Sequence, residues 1–326
     1  MINIYKKGEL PKFEETYKVQ QGDGKYFPPE KLIKAVELAL LLNKPLLIAG
    51  EPGTGKTDAA YHIAKHFKGV EDKPLVFNTQ TTSTAKDLLY TYNSLAHFQY
   101  SRNDKADTLG AQDLLDKNYI TYNPLGEAIS NSKKGIRNVV LIDEIDKAPR
   151  DLPNDMLDIL ENMRFTVDEL KIHKKKDEPD ISDIIGKDEF KPIVILTTNS
   201  EKTLPEPFLR RCIFFYINFD EIDLKVILKN KLNFDYSDAQ WDFLIGYFYL
   251  LRAELTGKKP ATAELIMWAW ILHKYEITPE MLNGTKEIGN KAELLKSSYS
   301  VLIKDNTDWQ ALNNKEIDFV AKKMKS

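Results

Sequence analysis

Four short runs, residues 46–49, 74–78, 139–142 and 193–198, are dense in Leu, Ile, Val and Phe without alternating polar positions, and residues 213–217 make a fifth. Such runs read as short strands buried within a covered sheet. Between them apolar residues recur at helical spacing: Leu32, Ile33, Val36 and Leu40 after Pro28-Pro29, then Ala59, Ala60, Ile63, Ala64 and Phe67. From Asp220 onward the pattern is helical only, through Leu224, Ile227 and Leu228, then residues 241–255, 263–275 and 308–323. Gly, Pro and Asn-Gly signals separate these segments. The chain therefore divides into an extension over 1–25, an α/β domain over 26–219 and a helical domain over 220–326.

Two stretches break the α/β pattern. Residues 79–126 are polar and rich in Tyr, with Asp87-Leu88-Leu89-Tyr90 as the best helical segment. A compact domain seldom carries so much irregular chain unless it is functional or inserted. Tyr92, Phe98 and Tyr100 suit core or edge packing as well as a partner surface. Residues 164–190 begin with the alternating Phe165-Thr166-Val167, turn strongly charged and close at Lys191-Pro192, as a hairpin-like insertion with a mobile tip would.

Composition narrows the class. At 326 residues, 42% hydrophobic and 29% charged, the chain has the profile of a globular protein large enough for a full core and a smaller second domain. A net charge of −3 provides no global basic field for nucleic acid or anionic membrane, although a local basic channel stays open. Cys212 alone excludes an internal disulfide, fits a reducing compartment and reads as a buried inert thiol. Residues 1–15 lack the apolar segment of a signal peptide, and no apolar run approaches the ~20 residues of a membrane span. The expectation is a cytoplasmic protein.

The first apolar run leads straight into Gly50-Glu51-Pro52-Gly53-Thr54-Gly55-Lys56-Thr57, the Gly-x-x-x-x-Gly-Lys-Thr phosphate-loop pattern. Gly53 and Gly55 permit positive φ, so successive N–H groups can turn around an anion. Lys56 adds a point charge for the β- and γ-phosphates, Thr57 a hydroxyl for Mg²⁺, and the helix that follows its positive end. The run at 139–142 ends in Asp143-Glu144. In a parallel sheet that is the ligand-binding edge, where Asp143 can hold Mg²⁺ and Glu144 can orient or deprotonate water. In isolation the pair could merely cap the helix over 151–161, but chemistry is the better reading, and more so beside a phosphate loop. Asn199, ending the run at 193–198, can bond a lytic water or the γ-phosphate, or simply make a local turn. Only seven of the 46 basic residues are Arg, so the adjacent Arg210 and Arg211 stand out. Guanidinium suits phosphate recognition, and a plain surface role stays open. His62 and His66 have metal-ligand spacing but no accompanying acid or Cys, so solvent or packing roles are expected.

Taken together, these motifs resemble the AAA+ ATPases, and within them the MoxR-like group. The matching residues are Phe27-Pro28-Pro29-Glu30, the phosphate loop, Pro124-Leu125-Gly126-Glu127-Ala128-Ile129, VVLIDEIDKAP over 139–149, Thr197-Thr198-Asn199 and Leu204-Pro205-Glu206. The resemblance covers about residues 26–275 and implies a five-stranded parallel αβα sandwich with a smaller all-helical lid. It also implies a homo-oligomeric ring, usually a hexamer, with ATP and Mg²⁺ at subunit interfaces. By motif, Gly50 through Thr57 with Asp58 bind nucleotide, Thr57 and Asp143 hold the metal, Glu144 is the catalytic acid and Asn199 the sensor. Arg211 aligns with the arginine finger, Arg210 being the alternative. The insertions near 91–122 and 166–190 resemble the family's insert and pre-sensor hairpin, facing a pore or client. Residues 258–264 lack the arginine that many relatives place there, which leaves Lys259 as a substitute or a weaker coupling of lid and nucleotide. The implied function is ATP-driven remodelling of a partner protein, commonly one with a von Willebrand A-type fold. The alternatives are a motor subunit of a nucleic-acid restriction complex and a nucleotide-switched binding module.

Overall fold

The structure is a computed structural model and describes residue 17 and residues 26–67, 70–100, 110–175 and 179–314. The rest of the 1–25 extension, residues 176–178 of the charged stretch in the expected hairpin and the end of the last expected helix lie outside the described residues. Nine strands are described: β1 (Leu46–Gly50), β2 (Leu75–Asn78), β3 (Tyr90–Tyr92), β4 (Ile120–Tyr122), β5 (Val139–Asp143), β6 (Arg164–Thr166), β7 (Asp183–Ile185), β8 (Ile193–Thr198) and β9 (Ile213–Ile217). The chain forms two compact units, one of residues 28–50 and 56–218, the other of 1–27, 51–55 and 219–326.

The first unit is built on a five-stranded sheet in the order β2-β5-β8-β1-β9, with every neighbouring pair parallel. β1 is buried throughout, as are the apolar residues of β5 and nearly all of β8, which is why these runs show no alternation. The sequence treats 74–78 as a buried strand like the others, but β2 is a sheet edge and only half-buried. β9 is the other edge, and its Phe214 and Tyr216 are exposed. The helix Glu30–Leu41 packs Leu32, Ala35, Val36 and Ala39 inward, while Ile33 of the predicted stripe faces solvent; two small alanines complete the buried face instead.

Residues 79–126 are more regular than their pattern suggests. A helix at Ala85–Leu89, capped by reciprocal bonds between Thr84 and Asp87, leads into β3. The helices Ser94–Tyr100 and Ala111–Asp116 follow, and β4 returns antiparallel to β3. Each element is too short to show a period, so tertiary packing of Leu88, Leu114, Ile120 and Leu125 decides its form. β6 and β7 pair antiparallel, giving the hairpin over 164–185.

In the second unit the described helices after residue 219 are Leu224–Leu232, Asp238–Glu254, Thr262–Lys274, Pro279–Leu282, Ala292–Ser298 and Asn306–Asn314, with short 3₁₀ turns. Trp241, Tyr247, Phe248, Trp268 and Tyr299 fill its centre. The buried phenols of Tyr247 and Tyr299 share a 2.7 Å hydrogen bond, and burial raises the pKa of both, that of Tyr247 to about 12. Trp268 Nε1 donates to Ser298 Oγ at 3.0 Å, which pairs the indole N–H within this core. Among the described residues no helix is long and apolar enough to cross a membrane.

Gly126 lets the helix Pro124–Lys133 approach the end of the helix Ala85–Leu89. A Cβ there would lie 1.9 Å from the Leu89 carbonyl oxygen, a clash with backbone that no rotamer relieves. Gly126→Ala is expected to destabilise the protein by about 3 kcal/mol, read from its denaturant midpoint. An unchanged midpoint would contradict this packing.

Candidate active site

The loop after β1 has the backbone that its glycines imply. Gly53 and Gly55 take φ of +79° and +86°, and a Cβ on Gly55 would sit 3.1 Å from the Tyr26 ring. Thr54 Oγ1 donates to the Glu51 carbonyl at 2.8 Å, which tightens the turn. Lys56, 7% exposed, opens the helix Lys56–His66 and donates from Nζ to the Gly50 carbonyl at 2.8 Å. Asp58 stands in the first turn of that helix, where a carboxylate complements the helix dipole.

β8 lies between β1 and β5, so the strand that leads into the loop and the strand that ends in the acid pair are separated by one strand and finish at the same sheet edge. Thr57 Oγ1 lies 3.2 Å from each carboxylate oxygen of Asp143. From β8, Thr197 Oγ1 donates to Asp143 Oδ1 at 2.5 Å and accepts the Glu144 N–H at 2.8 Å. Two hydroxyls and a carboxylate thus converge, a set of hard oxygen donors that suits Mg²⁺. Among the described residues no group of three His, Cys, Asp or Glu could hold a metal. An ion here would keep waters and take its remaining oxygens from a phosphate, which is how Mg²⁺ commonly binds.

Glu144 follows with φ +57°, a left-handed conformation that costs a non-glycine residue on the order of 1 kcal/mol or more. Its Oε1 accepts from Asn199 Nδ2 at 3.2 Å and its Oε2 pairs with Lys147. The Lys147 ammonium, aided by Asn199 and the charge of Lys56, holds the Glu144 carboxyl below the usual carboxylate range despite partial burial. A carboxylate so held is ionised at neutral pH and able to accept a proton, but only after Lys147 releases it.

The arginine pair sits elsewhere. Arg210 pairs with Glu206 one turn away, and Arg211 Nε lies 3.6 Å from Glu161, about half-exposed. Arg211 and Glu161 line a cavity of about 470 Å³ with Leu46 and Ile193, which begin β1 and β8. That is the sheet edge opposite Gly50, Asp143 and Thr198. The structure therefore brings together Lys56, Thr57, Asp143, Glu144 and Asn199, and leaves both arginines outside that cluster.

Three participants escaped the sequence reading. Thr197 looks like one more β-former, and Lys147 like one surface lysine among many; only their offsets from the strand ends could have marked them. Arg252 is the third, the one arginine within an otherwise apolar helical run. It donates to Glu51 Oε2 at 2.7 Å and to the Pro260 carbonyl, and its guanidinium lies 4.1 Å from the Phe219 ring centre. In the same unit Ala261, Ala263 and Glu264, from the stretch expected to lack an arginine, crowd Gly53. His62 and His66 stack on one helix face, where burial lowers the His62 pKa. Burial raises the Cys212 thiol to about 12, which keeps it inert.

The folded-state pKa of Glu144 is depressed, so its pairing contributes stability above the ordinary carboxylate range and loses it as pH falls through the depressed value. Replacing Lys147 by Met should move the Glu144 titration upward, followed by carboxyl-carbon NMR. A titration that stays in place would show that Lys147 does not set this group.

A family model described as AAA domain (dynein-related subfamily) matches residues 45–212, slightly over half of the 326 residues. Comparison with curated proteins finds no match. Among solved structures, the S. cerevisiae Hsp104-ADP complex is similar over 67% of this chain, with 19% identity and a TM-score of 0.40. The similar part spans 40% of that chain.

Proposed function

The chain belongs to the AAA domain family, dynein-related subfamily, and from that premise we propose that it is a Mg²⁺-dependent ATPase of the MoxR-like kind. In this reading it assembles with copies of itself into a ring, a hexamer in the family pattern, and remodels a partner protein in the cytoplasm. A client with a von Willebrand A-type fold is the partner the resemblance favours. The observation that carries the proposal is the meeting of Thr57, Asp143 and Thr197 beside Glu144 and Asn199, at the edge where the phosphate loop begins.

Each residue has a task in that chemistry. The amides of the loop and Lys56 hold the phosphates, with Lys56 exchanging the Gly50 carbonyl for a phosphate oxygen. Thr57 and Asp143 would hold Mg²⁺, which when bound neutralises the charge that builds on the phosphates. Glu144 leaves Lys147, orients the attacking water and takes its proton, while Asn199 fixes the direction of attack. Arg211, at the opposite sheet edge, would in this reading serve the site of another copy.

Two measurements test this. Glu144→Gln should bind ATP as the parent does while turnover falls by about 10²-fold or more; undiminished turnover would remove Glu144 from its role. Turnover per chain should rise with protein concentration and fall by about 10³-fold in Arg211→Ala. A monomer in ATP whose turnover is flat from nanomolar to micromolar protein would refute the shared site.

A further inference from the structure

A phosphate loop has to attract an anion, yet this one carries a carboxylate. Glu51 follows β1 directly, inside the Gly-x-x-x-x-Gly-Lys-Thr run, and its side chain is 38% exposed. Like charges repel by an amount that grows as water is excluded, so an uncompensated Glu51 would oppose the binding of phosphates on the amides around it.

The compensation comes from Arg252, whose side chain is only 9% exposed. Three independent contacts fix it: Glu51 Oε2 at 2.7 Å, the Pro260 carbonyl at 2.5 Å and the face of Phe219 at 4.1 Å. A guanidinium can serve all three because it is planar, with donors on its edge and a face free to stack. A lysine could supply charge but not the same fork. The Arg252 helix also carries Tyr247 and Phe248 of the helical core, so the cation is fixed by packing well away from the loop. Next to the pair, Gly53 lies so close to Ala261, Ala263 and Glu264 that a Cβ would be 3.3–3.4 Å from them. The tip of the loop is thus seated in the helical unit at two points.

We propose that Arg252 is a positioning residue that acts through Glu51: it neutralises the loop's own carboxylate and thereby sets the loop's affinity for phosphates. Any rearrangement that withdraws Arg252 from Glu51 turns that carboxylate on the bound anion and promotes release. This gives the helical unit control of nucleotide exchange without an arginine on the phosphate itself, and it rests on the nucleotide-binding reading above. It also assigns a task to Glu51, which a purely geometric account of the loop leaves without one.

The test is a double-mutant cycle on the full chain, read by equilibrium binding of Mg-ATP, Mg-ADP and adenosine. Arg252→Met should weaken ATP by about tenfold to a hundredfold, ADP less, and adenosine by less than about twofold, because the penalty scales with ligand charge. Glu51→Gln, which keeps a hydrogen-bond acceptor for Arg252, should bind ATP at least as tightly as the parent. Adding Glu51→Gln to Arg252→Met should restore most of the lost affinity, and Arg252→Lys should lose little. The proposal is overturned if Arg252→Met binds ATP like the parent, if all three ligands weaken equally, or if Glu51→Gln weakens ATP as much as Arg252→Met does. The last result would make the pair a mechanical latch. Should Arg252→Met not fold, the Glu51→Gln and Arg252→Lys arms decide by the same criteria. A parent protein that binds adenosine and neither phosphate form overturns the ATPase reading itself, and this inference with it.

Discussion

Parallel pairing of β8 between β1 and β5 is the constraint on which the site depends. Parallel strands share a direction, so Gly50, Asp143 and Thr198 end at one edge, and the first polar residues after three buried runs are brought together there. The interposed strand also supplies a chemical link. Thr197 is completely buried, and its hydroxyl both donates to Asp143 and accepts from the Glu144 N–H, spending its hydrogen-bonding capacity on the two acids. A valine in its place would fill the same space and leave a backbone donor and a carboxylate oxygen without that partner.

The sandwich was legible in the sequence for a physical reason. Strands buried on both faces have no alternation to hide them, and a glycine-rich loop must follow the strand that feeds it. What was not legible was whatever depends on neighbours distant in the chain. β2 and 46–49 look alike as sequence, yet one is an edge and the other central, because strand order is a tertiary fact. The short elements within 79–126 span only one or two helical or strand periods, too few for a window to register them. In the site, Lys56, Thr57, Asp143, Glu144 and Asn199 announced themselves by motif. Lys147 and Thr197 lie within matched stretches but take no role from sequence alone, and Arg252 lies in none, since each acts by supporting another residue and any of several residue types can do that from a suitable position.

The arginines divide along the same line. Arg211 has a motif position and an exposed side chain with a loose partner at 3.6 Å, the state expected of a group that must remain available. Arg252 has no motif position and is buried with every side engaged, the state expected of a group whose task is to stay put. Solvent exposure, not residue type, separates the two uses. An exposed pair contributes about 0–1 kcal/mol and is easily broken, whereas Arg252 is buried even though its partner Glu51 is 38% exposed, so it is the guanidinium that would be stranded by loss of its partner.

Charge economy joins these observations. Each of three carboxylates has its own partners: Glu51 has Arg252, Asp143 has the hydroxyls of Thr57 and Thr197, and Glu144 has Lys147 with Asn199. Two of the internal contacts that the proposed chemistry has to exchange are Lys56 on the Gly50 carbonyl and Lys147 on Glu144. A charged hydrogen bond contributes roughly 1.5–3 kcal/mol. Exchanging the buried Lys56 contact therefore costs about 1.5–3 kcal/mol, less than the roughly 8 kcal/mol of a micromolar ligand, and the solvent-exposed Lys147 contact is screened. The balance favours a site whose internal pairs keep its carboxylates ionised and its lysine aligned, and which gives up those pairs only to a ligand that replaces them with stronger ones.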